Sequence, residues 1–331
     1  MARFTRSLLK CLFCIMLAGF VPQAVAAPLT LKFSHPQPET HVYHAAAMLI
    51  GKELAALSKG SMKLEVYPNS LMGGERTVVD LLQAGSIDMM STSTPVLGNF
   101  DKMFQMFSLP FLFKDEQHLY KSFDDPAVTE PLAVSLVKRK GARPLAYWLT
   151  GPRNFVSTKP VNSLADFKGV KVRCMEDPYI LATYQALGAS PVAMPFPDVY
   201  TGLQTGTVSA AEIPLNTYIH NKYYEVAKNA AVINTNYLMM PVIVSERTWK
   251  KLNDEQKEWL ATAVKVSEKF EREATEKELK ALPQALADLG VKVTTPDRDE
   301  LMKAVQPIYE KFKKDFGPEA ASIIDKIRTN N

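Results

Sequence analysis

Apolar and polar positions follow two rhythms along the chain, and the rhythms alternate. Short runs with a two-residue period or unbroken apolar character predict strands: LTLKFS, KLEVYP, IDMMS, RPLAYW, KVR, PVAM and LMMPVIV. Between them lie runs with helical spacing. HAAAMLIGKELAALSKG predicts a first helix with Gly60 at its stop, and a second runs from near Glu75 to Gly85. Strands alternating with helices predict an α/β fold. A charged, helix-prone region from Glu255 to Leu289 is too long to pack on one small lobe throughout, which predicts a helix that bridges or wraps two. The chain shows no internal repeat and no low-complexity linker.

The most informative stretch runs from Asp166 to Asn216. Val170, Val172 and Cys174 alternate with Lys171 and Arg173, the period of a short strand with one apolar face and one that delivers a guanidinium elsewhere. Pro178 then opens a helical run in which Ile180, Leu181, Tyr184 and Leu187 share a face, and Gly188 is placed to end it. SPVAMPFP has spaced prolines that exclude a helix, so it reads as an extended edge or crossover segment leading into a further helix, DVYTGLQTG.

The segments LADFKGVKVR, ALGASPVAMPFPDVYTGLQTGTV and EIPLNTY together resemble the signature region of the substrate-binding subunits of tripartite ATP-independent periplasmic (TRAP) transporters. A weaker likeness extends across LTLKFSH, KLEVYPNSLMGGER, LLQAGSIDMM and LPFLFKD, in the family's order. Ser209-Ala210 stands where the family usually has Asp-Gly, whereas Glu212, Pro214 and Asn216 keep their places. The resemblance implies the type II periplasmic-binding fold: two α/β lobes with a ligand cleft between them, and a long C-terminal helix. It places lobe I at 27–150 plus 239–278 and lobe II at 151–238 plus 279–331, after a signal peptide at 1–26.

That signal peptide is also legible by itself. Arg3, Arg6 and Lys10 precede an apolar run from Cys11 to Val21, and Ala24-Val25-Ala26 offers a small-residue cleavage site, so a soluble periplasmic product beginning at Ala27 is expected. No other stretch approaches the roughly 18 apolar residues of a membrane span. Lys10 and Phe13, which precede Cys11 and Cys14, do not suit lipoprotein processing. The whole chain carries a net charge of +4, and three positive and no negative residues leave with the signal, so about +1 remains. This near-neutral balance argues against a nucleic-acid partner. Cys174 is then the last cysteine, which excludes an intramolecular disulfide.

The resemblance assigns Arg173 to a two-pronged salt bridge with a ligand carboxylate, a task that suits a planar guanidinium better than an ammonium. Arg153, in GPRNF just after RPLAYW, matches the family's second arginine. Phe196 matches a residue that packs on bound ligand, or it is core. Ser93 and Thr94 follow the strand IDMMS in a loop where the family places ligand contacts; otherwise they form an ordinary turn. Glu176 either accepts hydrogen bonds from a ligand or pairs with Arg173. Glu212 and Asn216 sit in the polar turn expected after SAA, as ligand contacts or as hinge and cap residues. His35, ending the first strand with Glu39 behind it, is the most plausible ligand contact among His35, His41 and His44. The spacing of His41 and His44 places them on one helix side, but no further ligand completes a metal site. Cys174 lacks a histidine context and reads as a buried, inert thiol.

No cofactor or metal is expected, and no GxSxG, HExxH or phosphate-loop motif supports an exported enzyme. Two receptor readings remain: one that closes on a small organic acid and delivers it to TRAP permease subunits, and one that feeds a sensor kinase. A monomer is expected. For the ligand, one shared arginine explains one carboxylate, and the hydroxyl-accepting residues favour a uronate or aldonate over a C4-dicarboxylate, whose far end would need Arg153 or His35.

Overall fold

The computed structural model describes residues 27–316 and 318–329; the expected signal peptide lies outside the described residues. The strands are β1 (Leu29–Ser34), β2 (Met62–Tyr67), β3 (Met89–Ser91), β4 (Ala142–Ser157), β5 (Lys171–Cys174), β6 (Ser190–Ala193), β7 (Ala210–Pro214), β8 (Asn229–Ser245) and β9 (Lys292–Thr294). They form one sheet in the order β2-β1-β3-β8-β4-β7-β5-β6, with β9 on β8. β1 pairs in parallel with β2 and β3, and β5 pairs in parallel with β6 and β7. Between these halves run β4 and β8, antiparallel to each other and 16 and 17 residues long. At about 3.3 Å per residue each reaches roughly 50 Å, long enough to cross both halves. The two α/β lobes that the resemblance implies are thus joined by two shared strands.

RPLAYW and LMMPVIV are therefore only parts of longer strands. The Gly151-Pro152 pair reads as a breaker, yet β4 continues through it because Gly151 takes φ +81° and the register with β8 shifts between Leu149 and Pro152. A second shift falls between Arg153 and Phe155. Arg153 thus lies inside the strand between two irregularities, not after its end.

The principal helices are α1 (Val42–Leu57), α2 (Glu75–Ala84), α3 (Glu116–Asp124), α4 (Pro126–Lys140), α5 (Pro178–Ala186), α6 (Val199–Gln204), α7 (Leu215–His220), α8 (Asp254–Asp288), α9 (Arg298–Ala304), α10 (Gln306–Asp315) and α11 (Pro318–Thr329). α5 begins at Pro178, as its sequence predicts, and Asp177 caps it by accepting from the Tyr179 and Ile180 amides. α8 opens on a capping box between Asn253 and Gln256 and runs for 35 residues, about 50 Å.

Its two ends bury different surfaces. Leu260, Ala263 and Val264 pack with Leu31, Phe33 and Trp148 under the β1–β3 half, whereas Leu286 packs with Val156, Ile213 and Tyr218 under the β5–β7 half. The opposite face of the sheet carries a larger core shared by both halves, including Phe104, Phe107, Phe155, Tyr184 and Phe312. The C-terminal helices contribute there. Phe312 of α10 meets the ring of Tyr179 on α5 edge-on at 5.3 Å, and the Ile327 carbonyl on α11 lies 2.6 Å from Nε2 of His118 on α3.

Candidate functional site

The parallel pairing of β5 with β7 and β6 fixes the centre of the site. It sets Arg173 opposite Ala211 and Val192, and β4 sets Phe155 opposite Glu212. Arg173 is 2% exposed, Arg153 5% and Glu212 1%. Three ionised groups cannot be buried together unless each is answered, and the hydrogen bonds show how this is done. Arg153 Nε donates to Glu212 Oε2, and its Nη2 donates to the Glu212 backbone carbonyl at 2.7 Å. Glu212 Oε1 accepts from the Met175 amide at 3.1 Å and lies 3.9 Å from Arg173 Nη1. Arg173 Nε donates to the Met194 carbonyl at 2.9 Å. Burial lowers the pKa of Arg173 from its ordinary value; the Glu212 carboxylate opposes this, and Arg153 adds to it. Burial likewise pushes the Cys174 thiol well above its usual value, which makes it inert.

These arginines line a narrow inner chamber of about 30 Å³, with Tyr43, Glu75, Ser93, Phe196 and Thr217 among its other walls. It adjoins an outer chamber of about 490 Å³ that shares Glu75, Arg173, Met175 and Phe196 and adds Arg76, Glu176 and Asp198. The inner chamber as it stands accommodates little more than two waters, since one needs roughly 10–15 Å³. A larger ligand there requires the walls to part, or must extend outward.

Of the residues singled out from the sequence, the inner chamber thus brings together Arg173, Arg153, Phe196 and Ser93. Glu176 lines the outer chamber alone. Among the described residues it makes no ion pair with Arg173; that partner is Glu212. Glu212 and Asn216 do not occupy a turn. Glu212 is in β7 and Asn216 in α7, and the sequence hides this because AAEIP is buried on both faces and shows no alternation. Glu212 is bound up between two arginines, so it positions them and is not a spare acceptor for ligand hydroxyls. Asn216 is 2% exposed, its amide has no hydrogen-bond partner among the described residues, and its Oδ1 would stand 3.2 Å from a Cβ on Gly151.

Thr94 and His35 are buried outside the residues lining the two chambers, and Glu39 is exposed. The His35 ring bonds His44, Nε2 to Nδ1 at 3.2 Å, and burial with His44 nearby lowers its pKa to about 3. His35 is neutral at ordinary pH and cannot be a second cation. His41 caps α1 through the Tyr43 amide. Among the described residues no cluster of three or more His, Cys, Asp or Glu has metal-binding geometry, and no helix is long and apolar enough to cross a membrane.

Glu75 is the functional candidate that the sequence reading passed over as a helix start. Its Oε1 accepts the Ser93 amide at 2.6 Å and the Thr92 hydroxyl at 3.1 Å, which fixes the carboxylate where both chambers meet. The available signal is its place in the GGER turn, where two glycines precede a charged first helical residue.

Two lobes that share crossing strands, with a buried arginine pair lining a chamber between them, define a solute-binding receptor. The family described as bacterial extracellular solute-binding protein, family 7 (DctP), matches residues 33–315, and the chain belongs to it. These are the receptor subunits of TRAP transporters, binding proteins and not enzymes. The chain is 30% identical to the 2,3-diketo-L-gulonate-binding periplasmic protein YiaO of Escherichia coli, over 97% of this chain and 98% of that one. It is 31% identical to the C4-dicarboxylate-binding periplasmic protein DctP of Rhodobacter capsulatus, over 94% of each. The sugar acid binding protein DctPAm of Advenella mimigardefordensis, solved with galactonate, superposes with a TM-score of 0.89 at 27% identity, covering 92% of this chain and 99% of that one.

Proposed function

We propose that this receptor captures a polyhydroxylated monocarboxylate, a uronate or aldonate, with its carboxylate on Arg173. The observation that carries this reading is the charge balance of the cleft. Arg76, Arg153 and Arg173 face Glu75, Glu176, Asp198 and Glu212 among the described residues. Arg153 is committed to Glu212, which leaves Arg173 to answer one carboxylate. A second carboxylate would meet Glu75 in the inner chamber; in the outer one the exposed Arg76 stands among three carboxylates, Glu75, Glu176 and Asp198, which oppose its pull, and an anion left unpaired on burial is costly. Hydroxyl groups, by contrast, find acceptors in Glu75 and Glu176 and a hydroxyl in Ser93. The galactonate-bound neighbour and the diketogulonate-binding relative support the same class.

Residues 27–150 with 239–278 and 151–238 with 279–331 act as the two lobes, closing on the acid after export to the periplasm and removal of residues 1–26. The loaded monomer then delivers its ligand to TRAP permease subunits. A thermal-shift panel of glucuronate, galacturonate, gluconate, succinate, malate and pyruvate tests the ligand class: stabilisation by sugar acids supports it, and stabilisation by succinate or malate alone overturns it. Loss of uptake of the stabilising acid on deletion separates transport from a purely sensory role. Small-angle scattering of the saturated receptor should show a smaller radius of gyration, because a ligand shifts the lobes only by binding the closed state better.

A further inference from the structure

We propose that the segment just after β1 and the C-terminal end of α7 form a latch between the lobes, in which His220 and Asn221 act as positioning residues that set affinity without touching the ligand. The inference rests on the receptor class and not on which acid is bound. Asn221 Nδ2 donates to Gln37 Oε1 at 2.9 Å, and the same amide donates to the Thr217 carbonyl at 2.9 Å, which orients it. His220 is held from two sides: Nδ1 lies 3.3 Å from Thr40 Oγ1, and Nε2 lies 3.0 Å from Glu278 Oε1 on α8. Its ring also meets that of His41 edge-on, with centroids 5.0 Å apart.

Thr40, His41 and Gln37 belong to the half built on β1–β3, whereas His220 and Asn221 follow β7 in the other half. These halves are tied by crossing segments such as β4, β8 and α8 and by the core they share on the far face of the sheet, so side-chain contacts across the cleft itself exist only when the lobes are together. The latch adjoins the ligand: Gln37 and Thr217 line the inner chamber, but His220, Asn221 and Thr40 line neither chamber. Contacts present only in the closed state raise its population for every ligand by the same factor, because apparent affinity scales with the fraction of competent receptor. They act chiefly on the dissociation rate, since the encounter precedes closure.

The test is stopped-flow tryptophan fluorescence on the full mature chain, with galacturonate, gluconate, pyruvate and succinate as probes. The variants are His220→Ala, Asn221→Ala and their double; Thr40→Val, from the facing lobe and outside the chambers, covers the case in which a lobe II variant fails to fold. For each acid that binds, the double variant should dissociate about tenfold faster, as expected for one or two lost hydrogen bonds, with the association rate unchanged and the same ratio for every acid. His220→Gln, which keeps a donor and an acceptor, should recover part of the loss. An unchanged dissociation rate, or a change confined to one acid, overturns the latch. Because pyruvate and succinate are included, the test stands even if the sugar-acid reading fails.

Discussion

On the β5–β7 side of the cleft the buried Arg153, Glu212 and Arg173 answer one another; on the β1–β3 side the hydroxyls of Ser91, Ser93 and Thr94 are buried with no partner among the described residues. The difference follows from what each group costs. A buried charge without a partner costs several kcal/mol, so the arginines must be held ready by Glu212 before any ligand arrives. An unpartnered hydroxyl costs only about 1–3 kcal/mol, a penalty that folding tolerates and a ligand hydroxyl can remove at Ser93. The proposed ligand would use that difference, with its carboxylate on one wall and its hydroxyls on the other.

The strongest way to break this division is Arg173→Ala. The lost charge-assisted contact should weaken acid binding by at least about a hundredfold, within the roughly 3–5 kcal/mol typical of truncating a buried pair. The fold should survive, since Glu212 keeps Arg153. Arg173→Lys should recover only part of the affinity, because an ammonium cannot form the planar fork. Glu212→Ala attacks the same wall from within. It leaves two buried guanidinium groups without their carboxylate, and denaturant titration should show a loss of about 3 kcal/mol; an unaltered midpoint would mean that the arginines do not need it.

Smaller effects belong to the other wall. Glu75→Gln removes the charge and keeps the shape, so affinity for a hydroxylated acid should fall about tenfold, the scale of a hydrogen bond to a charged group, while succinate binding is unchanged or improved. Loss of both in equal measure would return Glu75 to a purely structural role. The smallest effect is that of pH. Were His35 a cation in the site, binding would tighten as pH falls through 6.5; with its pKa lowered to about 3 by burial and His44, calorimetry from about pH 8 to 5 should show affinity nearly flat. The His35 contribution to stability, by contrast, should decline below 6.5 towards about 3, because the unfolded chain takes up that proton first, whereas Glu271 and Asp177, whose pKa values burial raises to about 8 and about 6, contribute with the opposite sign.

The sequence carries the strand alternation around Arg173, the Pro178 and Gly188 boundaries of α5 and the bridging α8, all of which depend on local period or on start and stop residues. It does not carry the length of β4, because Gly151-Pro152 is a breaker that only the bulged pairing with β8 can overrule. Glu212 escapes for a related reason: in a strand buried on both faces one carboxylate looks like a turn residue, and its two arginine partners lie 59 and 39 positions away in the sequence. His35 shows the converse, since burial removes a charge that composition alone would allow.

The most direct test of the division between the walls is a crystal structure of the receptor with a bound uronate such as galacturonate. The carboxylate should lie within hydrogen-bond distance of both Arg173 Nη atoms, with ring hydroxyls towards Glu75 and Ser93. A carboxylate seated on Arg76, or a ligand with its hydroxyls on the arginines, would contradict that division.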